Sequence, residues 1–289
     1  MSELRPEPPS SPRLAGSGGA SDSPRVPLGG GQANRLPHLQ PLLSEAAAWN
    51  LFDVNARVGP SGIHGELALD TPGLLEEMDR FYIREAVVSH WTAEEYDVDV
   101  GNAALERDLA PRFMPAWAAL PDEAGIASLD ARRPAAVRLT PGMAQHNFPM
   151  AAWCAGPLLE YLQEHAVVTL ISRADIDWPA LAALLENFPR LPLVLLDIGY
   201  RADRHLFPLL HRFPMLHFDS ATYLAHRQLE AFIEQRGADR ILFGSRLPLY
   251  TPASALAVLA SARISDSDRL AIAGGNLRRL LARAVGRTA

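Results

Sequence analysis

The sequence predicts one parallel (β/α)8 barrel, with a helix at its C-terminal end and a disordered tail at its N-terminal end. Three observations lead there. Eight short β-branched or aliphatic runs fall between residues 51 and 243. Helix-like patterns fill the intervals between them. No Gly-x-Gly-x-x-Gly follows the first run, which weakens the competing doubly wound open sheet.

Taken in order, residues 1–41 come first, with eight prolines and six glycines and no apolar periodicity. Such a segment cannot bury enough surface to offset its ordering entropy, so it reads as a disordered tail. The barrel domain is then residues 42–289. Its strand-like runs are Leu51–Asn55, Glu85–His90, Phe113–Ala118, Ala135–Leu139, Val167–Ile171, Leu193–Asp197, Leu216–Asp219 and Ile241–Phe243. Between the first two, Thr71-Pro72 is a cap-plus-proline start, and Leu74, Leu75 and Met78 follow at helical spacing. Leu181, Leu184, Leu185 and Phe188 repeat the spacing after Asp177, and Leu229, Phe232 and Ile233 do so before the eighth strand. Ser265 and Asp268 resemble a capping box ahead of the last helix, which carries Leu277, Leu280 and Leu281.

Composition narrows the chemistry. Of 289 residues, 27 are basic, and all 27 are arginine. With no lysine there is no Schiff-base lysine, no P-loop lysine and no carboxylated lysine bridging two metals. A formal charge of −6 argues against wholesale nucleic-acid binding. No apolar run approaches a membrane span, and the start lacks the positive-then-apolar pattern of a secretory signal. The lone cysteine, Cys154, excludes an internal disulfide and reads as a buried apolar thiol rather than a nucleophile. The expected location is the reducing cytoplasm.

A parallel barrel carries its active site at the carboxyl ends of the strands. Asp53, Asn55 and Arg57 share one face of the first strand for as long as strand geometry lasts. His90 ends the second, Arg138 lies on the fourth, Arg173 follows the fifth and Asp197 ends the sixth. His217 and Asp219 share a face of the seventh, and Arg246 follows the eighth. Such a mouth sets Arg57, Arg138, Arg173 and Arg246 against at least Asp197 and Asp219.

Several stretches are similar to the amidohydrolase superfamily, in the branch of amidohydrolase-related metal-dependent hydrolases and non-oxidative decarboxylases. The most specific is Gly237-Ala-Asp-Arg-Ile-Leu-Phe-Gly-Ser-Arg-Leu-Pro248, which resembles the family's strand-eight motif. Ile272-Ala-Gly-Gly-Asn276-Leu-Arg-Arg-Leu280-Leu resembles its closing helix. Leu74–Arg80 with Glu85-Ala-Val-Val resembles its first helix and second strand. Asn187-Phe-Pro-Arg-Leu-Pro-Leu-Val-Leu-Leu-Asp197-Ile-Gly199 matches the approach to strand six. The resemblance spans roughly residues 51 to 282.

The same alignment shows departures. Where the family opens with Asp-x-His-x-His, this chain reads Asp53-Val-Asn55-Ala-Arg57. The family's strand-five histidine falls at Ile171 or Ser172, its strand-six histidine at Asp197, and its strand-eight aspartate at Arg246. Asparagine is a poor zinc ligand and arginine repels a dication, so the resemblance implies that the family metal, usually zinc, is absent and that the chain carries no cofactor. A metal site rebuilt from His64, His90 and His217 with Asp197 or Asp219 lacks any compact ligand spacing.

Two functional readings stay open. In one, the barrel is a pseudoenzyme or a module binding a small anionic molecule through Asn55, Arg57, His90, Arg138, Arg173 and Asp219. In the other it is a metal-independent, lactonase-like hydrolase acting on a carboxylate-bearing molecule. There Asp197 or His217 is the general base and Arg246 holds an oxyanion. Both compete with a purely structural pairing of Arg57 or Arg246 with Asp197. Neither nucleic acid nor membrane is an expected partner, and a homo-oligomer is compatible with the family resemblance.

Overall fold

The computed structural model describes residues 40–285. The tail expected over residues 1–41 lies outside the described residues, except for its last two, which begin a helix. Eight strands follow: β1 Leu51–Val58, β2 Ile83–His90, β3 Phe113–Ala118, β4 Ala136–Leu139, β5 Val168–Ser172, β6 Leu193–Leu196, β7 Leu216–Asp219 and β8 Ile241–Leu242. The helices are α1 Gln40–Ala46, α2 Thr71–Arg80, α3 Trp91–Glu95, α4 Val98–Arg107, α5 Glu123–Arg132 and α6 Ala152–Glu164. They continue with α7 Trp178–Asn187, α8 Asp203–Arg212, α9 Gln228–Arg236, α10 Pro252–Ser261, α11 Asp266–Leu270 and α12 Asn276–Val285.

Every neighbouring strand pair is parallel, in the order β1 through β8. Closure between the last strand and the first rests on few bonds. The Val54 amide donates to Phe243 O at 2.9 Å, and the Arg57 amide donates to Leu247 O at 3.0 Å. The result is the (β/α)8 barrel expected from the alternation of short apolar runs with helical patterns. The run boundaries agree with the strands to within about two residues except in β1, which continues three residues past Asn55.

Side-chain alternation sorts the strands into two apolar layers. Phe52, Val54, Val87, Ala116, Ala136, Val168, Leu170, Val194, Leu196 and Leu242 face inward and meet Leu277, Leu280 and Leu281 of α12. The opposite faces, including Leu51, Val58, Val88, Leu195 and Phe218, pack against the surrounding helices. Asn276 donates to Ala238 O and Ile241 O, both at 2.8 Å, and Arg278 donates to Asn50 O at 3.0 Å. These acceptors sit where β8 and β1 begin, so α12 plugs the amino end of the barrel and leaves the carboxyl end for chemistry. Cys154, on α6, is half-buried against the outer layer.

Local signals placed the helices with small corrections. The cap of α2 is Asp70, one residue before the expected Thr71; its carboxylate accepts from the Gly73 amide at 2.9 Å. Asp177 caps α7 as its spacing implied. Ser265 accepts from the Asp268 amide at 3.1 Å, but the Asp268 carboxylate takes the Ser265 hydroxyl rather than its backbone amide, so the box is half-formed. It opens the short α11, which runs through a π-type turn into α12.

Candidate functional site

The first strand does not keep its alternation. Its pairing with β2 shifts register between Asp53 and Ala56, which inserts an extra residue. Phe52 and Val54 face inward before this bulge, and Asn55 and Arg57 face inward after it. Asp53 is therefore separated from the other two and turns toward β8. Its Oδ1 accepts the backbone amides of Asn55 and Ser245, each at 2.9 Å, and its Oδ2 accepts the Ser245 hydroxyl. Burial raises the Asp53 carboxyl above its ordinary range, against the lowering effect of these donors. Asp53 holds the bulge and the β1–β8 seam together.

Asn55 is the hub of the mouth. Its Oδ1 accepts from Arg57 Nη1 and Arg138 Nη1, both at 3.2 Å. Its Nδ2 donates to Asp197 Oδ1 at 3.0 Å and to Asp219 Oδ2 at 2.8 Å. The amide orientation follows from these partners: turned over, it would face donors with donors and acceptors with acceptors. A single fully buried side chain thus separates two guanidiniums from two carboxylates.

The guanidiniums have a counter-ion that sequence reasoning missed. Glu94, on α3, is buried and meets Arg57 Nε at 3.0 Å and Arg138 Nε at 3.2 Å, and accepts the Ser89 hydroxyl. Burial works against the charged form of Arg57, but Glu94 and then Asp197 outweigh it and leave the group more basic than usual. Trp91 lies 4.7 Å from the Arg57 guanidinium and packs against His64. Of the two arginines expected to pair with Asp197, Arg246 rather than Arg57 approaches it, with Nε 3.3 Å from Asp197 Oδ1. The pair is close enough for attraction but not aligned for a hydrogen bond, and Arg246 Nε has no hydrogen-bond partner.

Asp219 is fully buried. Its carboxyl accepts from Asn55 and from the Asp197 amide, the latter at 2.9 Å. Burial first, and the neighbouring Asp197 second, push it well above the ordinary carboxylate range. Asp175, in the loop after β5, is a second missed residue. Burial and the nearby Glu94 raise its carboxyl to about 6, with Arg57 opposing. Ser172, missed as well, donates to Asp197 Oδ2 at 3.3 Å.

Three residues expected at the mouth lie elsewhere. Arg173 follows the inward-facing Ser172, so it turns outward; its Nη1 donates to Ile176 O at 2.6 Å and its guanidinium covers the Trp178 ring. His90 follows the inward-facing Ser89 and likewise points out of the barrel, where its Nδ1 accepts the Thr92 amide at 3.2 Å. His217 does face inward, two residues before Asp219, but in the amino half. Its Nδ1 donates to Met215 O at 3.0 Å, and burial lowers its pKa to about 4. The general-base role expected of His217 has no support in this placement, because its charged neighbours are Arg240, Arg283 and Asp239 at the plugged end. Alternation, applied to Ser89 and Ser172, was the available signal for the first two.

A protein-family model described as amidohydrolase matches residues 67–283. No curated protein matches the sequence. Among solved structures, an uncharacterized TIM-barrel protein from Bordetella bronchiseptica superposes with a TM-score of 0.65 at 18% identity, covering 81% of this chain and 99% of that one. A dihydroxybenzoic acid decarboxylase from Polaromonas sp. JS666, with bound manganese and 2-nitroresorcinol, gives 0.64 at 16% identity, covering 81% and 97%. A putative 2-pyrone-4,6-dicarboxylic acid hydrolase from Pseudomonas putida gives 0.62 at 17% identity, covering 81% and 98%.

The manganese in the Polaromonas enzyme corrects the expectation that the chain carries no metal cofactor: barrels of this shape do hold one. Which residues of this chain could do so is a separate question of fit. Among the described residues, no three His, Cys, Asp or Glu side chains converge as a metal-holding set. Asp197 and Asp219 are the two carboxylates that come together, and all four of their oxygens face Asn55, Ser172, Arg246 or a backbone amide. In this arrangement both carboxylates are taken up by donors, which does not fit a dication. Among the described residues no helix is long and apolar enough to cross a membrane. The family model spans well over half of the sequence, and the chain belongs to the amidohydrolase family.

Proposed function

We propose that this barrel binds a small carboxylate-bearing molecule at its strand ends, as a ligand-binding module of the amidohydrolase family without hydrolase turnover. One observation carries the reading. Arg138 is almost wholly buried, yet its Nη2 has no hydrogen-bond partner. A buried donor left unmade costs about 1–3 kcal/mol, and more when charged, so a partner at this nitrogen, an ordered water or the oxygen of a bound carboxylate, is favoured. Arg246 Nε, also unpartnered, belongs to the one guanidinium of the cluster with a quarter of its side chain exposed.

The charge balance supports an anion. Arg57, Arg138 and Arg246 face Glu94 and Asp197, while Asp219 is pushed toward its neutral form. Below about pH 6, where Asp175 is protonated, the cluster carries one positive charge in excess. Arginine suits this role because its planar fork matches a carboxylate. The Polaromonas and Pseudomonas neighbours are named for ring carboxylates, which favours that ligand class. The single cysteine favours a reducing compartment such as the cytoplasm.

The test is thermal stabilisation by 2,6-dihydroxybenzoate and 2-pyrone-4,6-dicarboxylate at millimolar concentration. A rise in Tm that is lost in Arg246→Ala supports the reading. No rise with either acid, or the same rise in the variant, defeats it.

A metal-independent hydrolase is the second reading, favoured by the Asp197–Asp219 pair. Two adjacent carboxyls, one of them pushed toward its neutral form by burial, resemble an acid–base pair. Asp197 would then serve as base and Arg246 would hold the oxyanion. Lactone turnover abolished in both Asp197→Asn and Arg246→Ala would favour it; turnover unchanged in both would exclude this site.

A further inference from the structure

A separate cavity of about 580 Å³ lies outside the barrel wall, between the end of β1, the start of α2 and α4. Val58 and His90 pair across β1 and β2 and both point into this outer space, whereas their neighbours Arg57 and Ser89 face the mouth. The cavity is thus divided from the arginine cluster by the strands themselves. Its volume lies within the range of small-molecule sites.

Its walls are mostly apolar: Val58, Pro60, Val100, Ala103 and Ala104. Two polar side chains on these walls keep a group without a partner among the described residues, the Thr92 hydroxyl and the His90 ring, and the ring is the more buried. His90 is only 6% exposed, and its Nδ1 is committed to the Thr92 amide. An imidazole that accepts at Nδ1 carries its proton on Nε2 when neutral, and burial keeps it neutral by lowering its pKa. No described residue accepts from Nε2. Gly59 makes this placement possible. Its φ is +86°, and the Nε2 edge of the ring occupies the space that any Cβ at this position would need.

The charges at the rim are already engaged. Arg107 pairs with Asp108 at 2.7 Å, and Asp70 caps α2. No unpaired cation remains there for an anion.

We propose that this cavity is a second binding site, taking a small, uncharged, mainly apolar molecule that presents one hydrogen-bond acceptor to His90 Nε2. The site recognises a carbonyl or ether oxygen at one end and a hydrocarbon body along the Val58–Ala104 wall.

Acetophenone, ethylbenzene and benzoate are suitable probes: an acceptor, a hydrocarbon and an anion of similar size. Titrations followed through the His90 ring nitrogens by NMR read the site directly. Acetophenone should shift these resonances saturably, and ethylbenzene should bind about fivefold more weakly or worse, the value of one hydrogen bond. His90→Phe should bring acetophenone down to the ethylbenzene level. Val100→Trp should block binding; Val100 is 60% exposed, so the change spares the core, and an unchanged melting profile verifies that. Ala104→Leu, from inside the cavity, should do the same. The proposal is overturned if acetophenone leaves the His90 resonances unmoved, if both blocking variants bind it normally, or if benzoate binds here as tightly.

Discussion

Arg246 and Asp197 approach within 3.3 Å at the barrel mouth, and both hold left-handed backbone, with φ of +61° and +57°. Neither is glycine, so each conformation costs on the order of 1–2 kcal/mol. For Asp197 the reason is geometric. Val194 and Leu196 already face inward, so strict alternation would turn the next side chain away. The left-handed turn brings the carboxylate back to Asn55 and Arg246. Local strain and long-range pairing are thus two sides of one arrangement at the strand ends.

Glu94 holds this arrangement from the other side. It is shared as an ion-pair partner by Arg57 and Arg138, and both are buried. Glu94→Ala should cost about 3–5 kcal/mol, because it strands charges that cannot reach water. Glu94→Gln keeps the volume and some acceptors and should cost less. Urea unfolding of both variants checks the order; an Ala variant within about 0.5 kcal/mol of the parent would contradict it.

Asp53 predicts a structural phenotype distinct from binding. Asp53→Ala removes the acceptor for two backbone amides and the Ser245 hydroxyl. Each stranded donor costs about 1–3 kcal/mol, so the variant should melt at least several degrees lower. Amide exchange should accelerate first at Asn55 and Ser245. Equal protection of these two amides in both proteins would count against the seam.

Asp175 gives the stability a pH signature. Its pKa is raised from 3.8 to about 6 on folding, so the native state holds the extra proton between these values and loses relative stability as pH rises through the window. Asp175→Asn should therefore stabilise the protein at pH 7, by on the order of 1–2 kcal/mol after discounting for solvent screening, and leave it unchanged near pH 3.5. Melting curves at the two pH values give the difference. Under the proposed function, affinity for 2,6-dihydroxybenzoate should also rise from pH 7 to pH 5 in the parent and not in the variant.

His217 acts in the opposite direction. Its pKa falls from 6.5 to about 4 on burial, so its contribution is intact above pH 6.5 and is lost as pH drops toward 4. His217→Gln should lower the pH of acid unfolding, with a relative gain on the order of 2–3 kcal/mol at pH 4. A His217 ring signal that titrates near 6.5 in the folded protein would refute the burial argument.

Much of the fold was legible because its signals are local. Apolar runs, proline starts and capping residues lie within a few positions of one another, and eight repeats leave little choice of architecture. Even the outward turns of His90 and Arg173 could be read from alternation, once Ser89 and Ser172 are taken as inward. The strand-eight and closing-helix stretches likewise carried the family in the sequence alone.

What only the tertiary structure decided is which charge meets which. The β1 bulge separates Asp53 from Asn55 and Arg57, which no periodicity announces. Asn55 reaches Asp219 across 164 residues of chain, and Glu94 answers two arginines from different strands. Partner choice among buried charges depends on register, on the bulge and on a left-handed turn at Asp197, each fixed by segments far apart in sequence. The sequence therefore determined the barrel and the side chains available to its mouth, while three-dimensional packing set Arg246 rather than Arg57 against Asp197 and made Asn55 the centre of the site.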